Sequence, residues 1–403
     1  MRFRLFSQSW PLYFSLTIAG ADLLLTCLLV FYLYKIFDPN YIKDISNAFV
    51  TGIIGGMLYL SKAYAFPFFI VHFSFINIII YYNAKHNERK NGLRNFVVGI
   101  FIFLTISGPW IYLISEKYDK ITFSTAGEFN YKFKNPKSKF SWSDFQIPPN
   151  DTALHGWEDP SYFDMGEWRF HPEYFLKNIY SNILATQDIL CNFSFFSSAI
   201  LIIYFVTLLI PSRKSGIKSM LKILLPFITV ILFCAGYCLI FASIRFLWIV
   251  YILLILMGFS ILEKVINHYK FGRAKKYLLL IIISVSFLIL PRWELDKDRL
   301  TGKGRYVYEL SCKLEDSNIK GKIASNKDWN KTINLALYMS QKNPNIKYFG
   351  VPKNLTDLKI YNIDYYFVWK EKKNARDFTT EILSPKIYED SDLIIYHLRY
   401  SQK

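Results

Sequence analysis

The feature that most constrains this chain is a series of apolar runs at or near membrane-spanning length, separated by short basic loops and broken once by a long polar loop. The runs fall near residues 12–34, 48–61, 63–82, 95–115, 192–211, 221–243, 246–264 and 277–290. A helix needs about 20 mostly apolar residues to cross the hydrocarbon core, and inside it every backbone polar group must be satisfied within the segment. The runs therefore predict a polytopic α-helical membrane protein of about eight spans. Hydrophobic residues make up 52% of the chain and charged residues 20%, so apolar and polar stretches have to be segregated along it.

The formal net charge of +17 raises nucleic acid as a partner, but the basic residues gather in short loops beside apolar spans. Three clusters, Lys85/Arg89/Lys90/Arg94, Arg213/Lys214/Lys218/Lys222 and Lys270/Arg273/Lys275/Lys276, are cytoplasmic by the positive-inside rule. The expected partner is thus a lipid bilayer, with no nucleic acid, and the expected location is the cytoplasmic (inner) membrane. Counting helices outward divides the chain into membrane helices over 1–115, an extracytoplasmic loop over 116–189, further membrane helices over 190–290, and an extracytoplasmic domain over 291–403. Residues Met1 to Pro11 lack the h-region and cleavage site of a secretory signal, so the helices are expected to target themselves.

Counting backward places Met1 on the outer face with no preceding segment to carry it across. Two readings follow. Either 48–61 and 63–82, with Lys62 between them, form one broken span, or the chain begins after an upstream helix or hairpin. The second is favoured, because 35 residues is long for a single span when about 20 suffice.

The loop at 116–189 is too long to be a simple connection. Its Trp142, Trp157, Trp168, Tyr162, Phe163 and Tyr174 carry too much apolar surface for a disordered segment, so it is expected to fold at the membrane surface. Seven carboxylates lie between 144 and 173: Asp144, Asp151, Glu158, Asp159, Asp164, Glu167 and Glu173, with Arg169 the one basic residue among them. Such oxygen-rich clusters suit a divalent cation, magnesium or manganese; the alternative is solvated surface charge. Glu158 and Asp159 beside Trp157 form the best substrate or metal candidates, since a ring next to carboxylates suits a sugar face and its hydroxyls. His155 and His171 have no ligand spacing around them and read as surface histidines. The five cysteines show neither metal-ligand spacing nor a disulfide framework.

From about Gly304 the pattern changes to short β-rich runs alternating with helical stretches. Strands are expected at 321–325, 346–350, 365–370 and 393–399, with a helix after an Asp328 N-cap and another over 354–361. A small α/β domain follows. It lacks a phosphate loop or nucleophile elbow, so it reads as a docking or lid domain.

Within the apolar runs a few polar residues stand out. Asp22 lies in Ala19-Gly-Ala-Asp-Leu23, and intramembrane ionisable residues mark functional sites by default. The competing reading is a structural partner, with Lys62 one choice. Arg245, in Ser243-Ile-Arg-Phe246, stands at a helix end at headgroup depth, where it either binds a phosphate or snorkels as an anchor. Gly52-Ile-Ile-Gly-Gly56 fits a small-xxx-small packing face.

Several segments, in this order, resemble bacterial members of the dolichyl-phosphate-mannose-protein mannosyltransferase-like superfamily, membrane glycosyltransferases of the GT-C type. They are Ala19–Leu25, Gly55–Ala63, Gly108-Pro-Trp110 followed by Lys117-Tyr118, Ser243–Phe246 and Ala324–Trp329. The resemblance implies transfer of a sugar, with inversion, from a polyprenyl-phosphate carrier to an acceptor at the extracytoplasmic face. It also implies a catalytic carboxylate in a first external loop and basic residues on the lipid phosphate. This sequence starts after that helix and loop would have ended, so the principal carboxylate has no counterpart and the 403-residue chain alone is expected to be inactive. Asp22 matches an acidic residue near the external end of a later helix, and Arg245 a basic residue near the lipid phosphate. The alternative is a non-catalytic membrane scaffold in cell-envelope assembly. A transporter is disfavoured because intramembrane charges are few and no inverted repeat is evident.

Overall fold

The computed structural model describes residues 21–134, 145–159, 161, 171–209, 217–289, 303–317, 319–326, 329–370 and 385–398. The chain forms two compact units, one from Met1–Tyr131 and Phe170–Asp296, the other from Lys132–Arg169 and Lys297–Lys403. The long loop therefore divides: its flanks belong with the helices and its middle with the C-terminal tail.

The helical elements are α1 (Asp22–Ile36), α2 (Ile45–Ser61), α3 (Ala65–Asn83), α4 (Arg89–Lys117), α5 (Ala126–Lys134), α6 (Pro172–Phe193), α7 (Ser197–Leu209), α8 (Ile217–Ile240), α9 (Trp248–Tyr269) and α10 (Arg273–Ser286). Three helical stretches among the described residues, Ala65–Asn83, His86–Lys117 and Ile244–Tyr269, are long and apolar enough to cross a membrane. The count becomes four if Pro172–Phe193 and Ser197–Leu209, bent by 106°, are one broken span. The expectation of about eight spans is thus not supported. Several apolar runs fold into helices short of a full crossing: α1 has 15 residues, α2 has 17, α7 has 13 and α10 has 14.

Close backbone approach explains the glycines of α2. A Cβ on Gly52 would sit 2.6 Å from the Gly99 carbonyl oxygen of α4, and one on Gly56 would sit 2.6 Å from Cβ of Ile106. Both residues face α4, as the small-xxx-small pattern predicts. Phe69 stacks on Phe73 and Phe103 at 5.0 and 4.5 Å and fills the space that the neighbouring Gly55 leaves.

A buried polar chain ties three helices together. Thr229 donates its hydroxyl to Leu225 O at 2.8 Å, so it must accept from His72 Nε2, 2.8 Å away. His72 Nδ1 then accepts from the Tyr32 hydroxyl at 2.9 Å. With the imidazole neutral, this bonding puts its proton on Nε2, and no member of the chain is left unsatisfied inside an apolar bundle.

In the second unit, α11 (Lys303–Lys313), α12 (Trp329–Ser340) and α13 (Leu355–Ile360) accompany β1 (Lys322–Ser325), β2 (Lys347–Tyr348), β3 (Tyr365–Trp369), β4 (Lys386–Glu389) and β5 (Leu393–His397). The sheet order is β2-β1-β3-β5-β4. β1 runs parallel to β2 and β3, while β5 pairs antiparallel with β3 and β4. Alternation along β3 sends Phe367 and Trp369 to a core that includes Leu310 and Leu335, and Tyr366 and Val368 to one that includes Leu358. Asn354 and Asp357 form a capping box that starts α13. The four expected strands are present, with β2 shortened to two residues. Strand β4 and helix α11 were not expected, and the Asp328 cap lies outside the described residues.

The middle of the long loop joins this unit along β2. The Gln146 amide donates to Phe349 O at 2.6 Å, and the Tyr348 amide donates to Leu154 O at 2.8 Å. Phe145 packs 5.5 Å from Phe349 and 5.1 Å from Tyr361. These contacts cover a strand edge that would otherwise offer unpaired backbone groups.

Candidate functional site

The two residues carried over by resemblance come together in the helical unit. Asp22 opens α1, and its carboxylate lies where the unpaired amides of a helix N-terminus favour negative charge. It is only 6% exposed. Lys62 occupies the extended break between α2 and α3, with φ −158° and ψ 124°, and its ammonium donates to Asp22 Oδ1. Arg245 comes from the single 3-10 turn Ile244–Leu247 that precedes α9, and its Nε lies 4.0 Å from Asp22 Oδ2. The structural partner weighed for Asp22, Lys62, is therefore present, and Arg245 faces the second oxygen.

Aromatic rings form the wall behind these charges. The Phe246 ring lies beneath both cations, with its centroid 3.7 Å from Lys62 Nζ and 4.9 Å from Arg245 Cζ. Tyr237 stacks on Phe246 at 5.1 Å, and Tyr64 stacks on Tyr237 at 3.8 Å. Tyr64 donates to Phe233 O at 2.8 Å. The buried hydroxyl of Tyr237 has no hydrogen-bond partner among the described residues. Two cations against one carboxylate leave a net charge of +1 (2 − 1) on this group, and Arg245 keeps 39% of its side chain exposed. Such an arrangement suits an anion whose remaining bulk is apolar or ring-shaped.

The other candidates belong to the second unit. Glu158 is exposed, and its Oε1 accepts from the Leu154 amide at 2.6 Å, closing its own turn. Asp159 is 7% exposed. Asp144, Asp164, Glu167 and Arg169 of the acidic loop lie outside the described residues. Among the described residues no three His, Cys, Asp or Glu side chains gather to hold a metal ion.

His155, expected at the surface, is instead 2% exposed and stacks on Tyr348 at 5.2 Å. Its burial follows from the docking of 145–159 against β2 and pushes its pKa down to about 4.

Sequence reasoning named Lys62 only as a partner and missed Tyr64, Tyr237 and Phe246. Phe246 follows Arg245 and Tyr64 follows Lys62 by two residues, so rings adjacent to intramembrane cations were the available signal. No family model, curated protein or solved structure matches this chain.

Proposed function

We propose that the chain acts in a membrane glycosyltransferase that moves a sugar from a polyprenyl-phosphate-linked donor to an acceptor at the extracytoplasmic face of the inner membrane. The observation that carries this reading is the Asp22/Lys62/Arg245 group with Phe246 beneath both cations. In such a transfer the acceptor hydroxyl attacks the anomeric carbon and loses its proton to a base. The bond from that carbon to the phosphate oxygen breaks, and polyprenyl phosphate leaves with the electron pair. Lys62 and Arg245 fit the task of holding that growing negative charge, and Asp22 fits that of holding the two cations in place. The resemblance of segment order supports the same assignment.

The test pairs binding with transfer. Polyprenyl phosphate should bind the chain in lipid nanodiscs more tightly than the uncharged polyprenol, and Arg245→Gln should weaken phosphate binding by about tenfold. Equal affinity for the two lipids, or no change in Arg245→Gln, would sink the site. Transfer of a radiolabelled sugar from the lipid donor tests the reaction itself. Stable co-purification of a second envelope protein, with polyprenyl phosphate and polyprenol bound equally, would favour the scaffold reading.

A further inference from the structure

Helix α6 meets three different surroundings around its circumference. One face is packed: Asn182, Thr186, Ile189 and Phe193 are buried, and the Asn182 amide donates to the Cys238 and Ile240 carbonyls at 2.9 and 3.3 Å. A second face carries Leu176, Tyr180, Ile183 and Leu184, which are 64%, 65%, 48% and 44% exposed. Their spacing of four, three and one makes a single stripe. A third carries the exposed Lys177, Ser181 and Asp188, roughly 60 to 100° around the helix from Tyr180 at 3.6 residues per turn. An ordinary surface helix has two faces, one packed and one wet. Among the described residues this one has a mostly apolar face left over, in which the exposed Gln187 and, in the first turn, Glu173 also lie.

The surroundings say what covers it. After Ser194 the chain turns by 106° into α7, with Ser194 Oγ accepting from the Phe196 amide at 3.1 Å and meeting Ser286 Oγ at 2.9 Å. Helix α7 runs within the bundle: Ile200 fills the space over Gly258 of the spanning-length α9, and Phe205 lies 6.3 Å from Phe227 of α8. The bend turns α6 well away from the direction of α7. The carbonyls that Asn182 holds belong to the last turn of the apolar α8, so α6 sits at the level where the hydrocarbon begins.

We propose that α6 is an interfacial helix, with Leu176, Tyr180, Ile183 and Leu184 sunk into the boundary between headgroups and acyl chains and Lys177, Ser181 and Asp188 turned to water. The lipid surface is the partner of the leftover face. Its ring-bearing Tyr180 suits that boundary, where one end of the side chain is apolar and the other wet. The assignment holds independently of the sugar-transfer reading.

Nitroxide labels on the full-length chain in nanodiscs of phosphatidylethanolamine and phosphatidylglycerol test it. The exposed Cys27, Cys191 and Cys312 are first replaced by Ser, and single cysteines are then placed at Tyr180, Ile183, Ser181 and Asp188. Labels at Tyr180 and Ile183 should be reached by oxygen, shielded from a water-soluble nickel chelate, and about 5–10 Å below the lipid phosphates. Labels at Ser181 and Asp188 should be open to nickel. Equal nickel access at all four sites would overturn the proposal in favour of water. Exclusion of both reagents from Tyr180 and Ile183 would overturn it in favour of another protein or a second copy. If Tyr180→Cys fails to fold, Leu176→Cys and Leu184→Cys read the same stripe.

Discussion

Acid should release the middle of the long loop from the α/β unit, and His155 should set the pH at which it does so. The His155 ring is 2% exposed and stacked on Tyr348, and burial lowers its pKa from 6.5 to about 4. Above pH 6.5 the ring is neutral both docked and released, and it contributes no pH dependence. As pH falls through 6.5 the released segment binds a proton first, so docking weakens steadily until about pH 4, where both forms are protonated and the loss levels off. The gap between 6.5 and about 4, at about 1.4 kcal/mol per pH decade, amounts to ~3 kcal/mol, on the order of a hundredfold in the opening equilibrium. Hydrogen exchange reads this opening directly at the Tyr348 and Gln146 amides, which bond across the segment, against the Ser325 amide, which bonds to Gly350 O. After correction for intrinsic exchange, protection at the first two should fall between pH 6.5 and 4 while Ser325 holds. The variant His155→Phe keeps a stacked ring without a titrating group, and any contribution from the neighbouring Glu158 and Asp159 persists in it. Flat protection in the native chain, or an equal fall in His155→Phe, would refute the reasoning.

Three further outcomes follow from the helical unit. Asp22→Leu should lower the midpoint of thermal unfolding in detergent because it strands Lys62 beside Arg245, and the double variant Asp22→Leu/Lys62→Met should recover part of that loss; an additive double variant would deny the coupling. Gly52→Leu should destabilise by at least about 1–3 kcal/mol because its side chain enters the α4 backbone, whereas Gly127→Ala in α5, where no residue beyond the chain neighbours lies within 4 Å of the added carbon, should not lower the midpoint. His72→Phe should cost about 1–3 kcal/mol by leaving the Tyr32 hydroxyl without its acceptor, and Tyr32→Phe in the same background should restore part of it.

The legible parts of the structure are those set by local pattern or by an unavoidable electrostatic demand. Strands β1, β3 and β5 alternate or run apolar and were readable, whereas β4 shows three exposed residues of four and carries no hydrophobic period to read. The glycines of α2 were readable because small residues four apart have few other uses in an apolar helix. A charge in an apolar run needs a partner, so Asp22 pointed to Lys62 across 40 residues of sequence. Helix count failed because hydropathy marks apolar stretches and not where the chain turns. Ser194 bends the chain between two apolar helices, and its bond to Ser286 lies 92 residues away. The burial of His155 depends on docking against β2, and composition near 155 holds no trace of that distant strand.

The Asp22 group also narrows what the carboxylate can do in the proposed reaction. A general base must keep an oxygen free to accept the acceptor's proton, but Oδ1 takes the Lys62 ammonium and Oδ2 faces Arg245 at 4.0 Å. Protonating Asp22 would loosen both cations just as charge builds on the departing phosphate, which works against the stabilisation that preorganised charges supply. Asp22 is therefore better suited to positioning than to proton transfer. That moves the exposed member of the group, Arg245, to the front. With 39% of its side chain open and Phe246 holding its guanidinium plane, it retains donors to offer, whereas Lys62 already spends its charge on Asp22 and on the same ring. The phosphate-binding step should consequently respond more to Arg245→Lys than a pure charge count allows, because lysine keeps the charge but loses the planar fork. Unchanged phosphate affinity in Arg245→Lys would return the role to net charge alone.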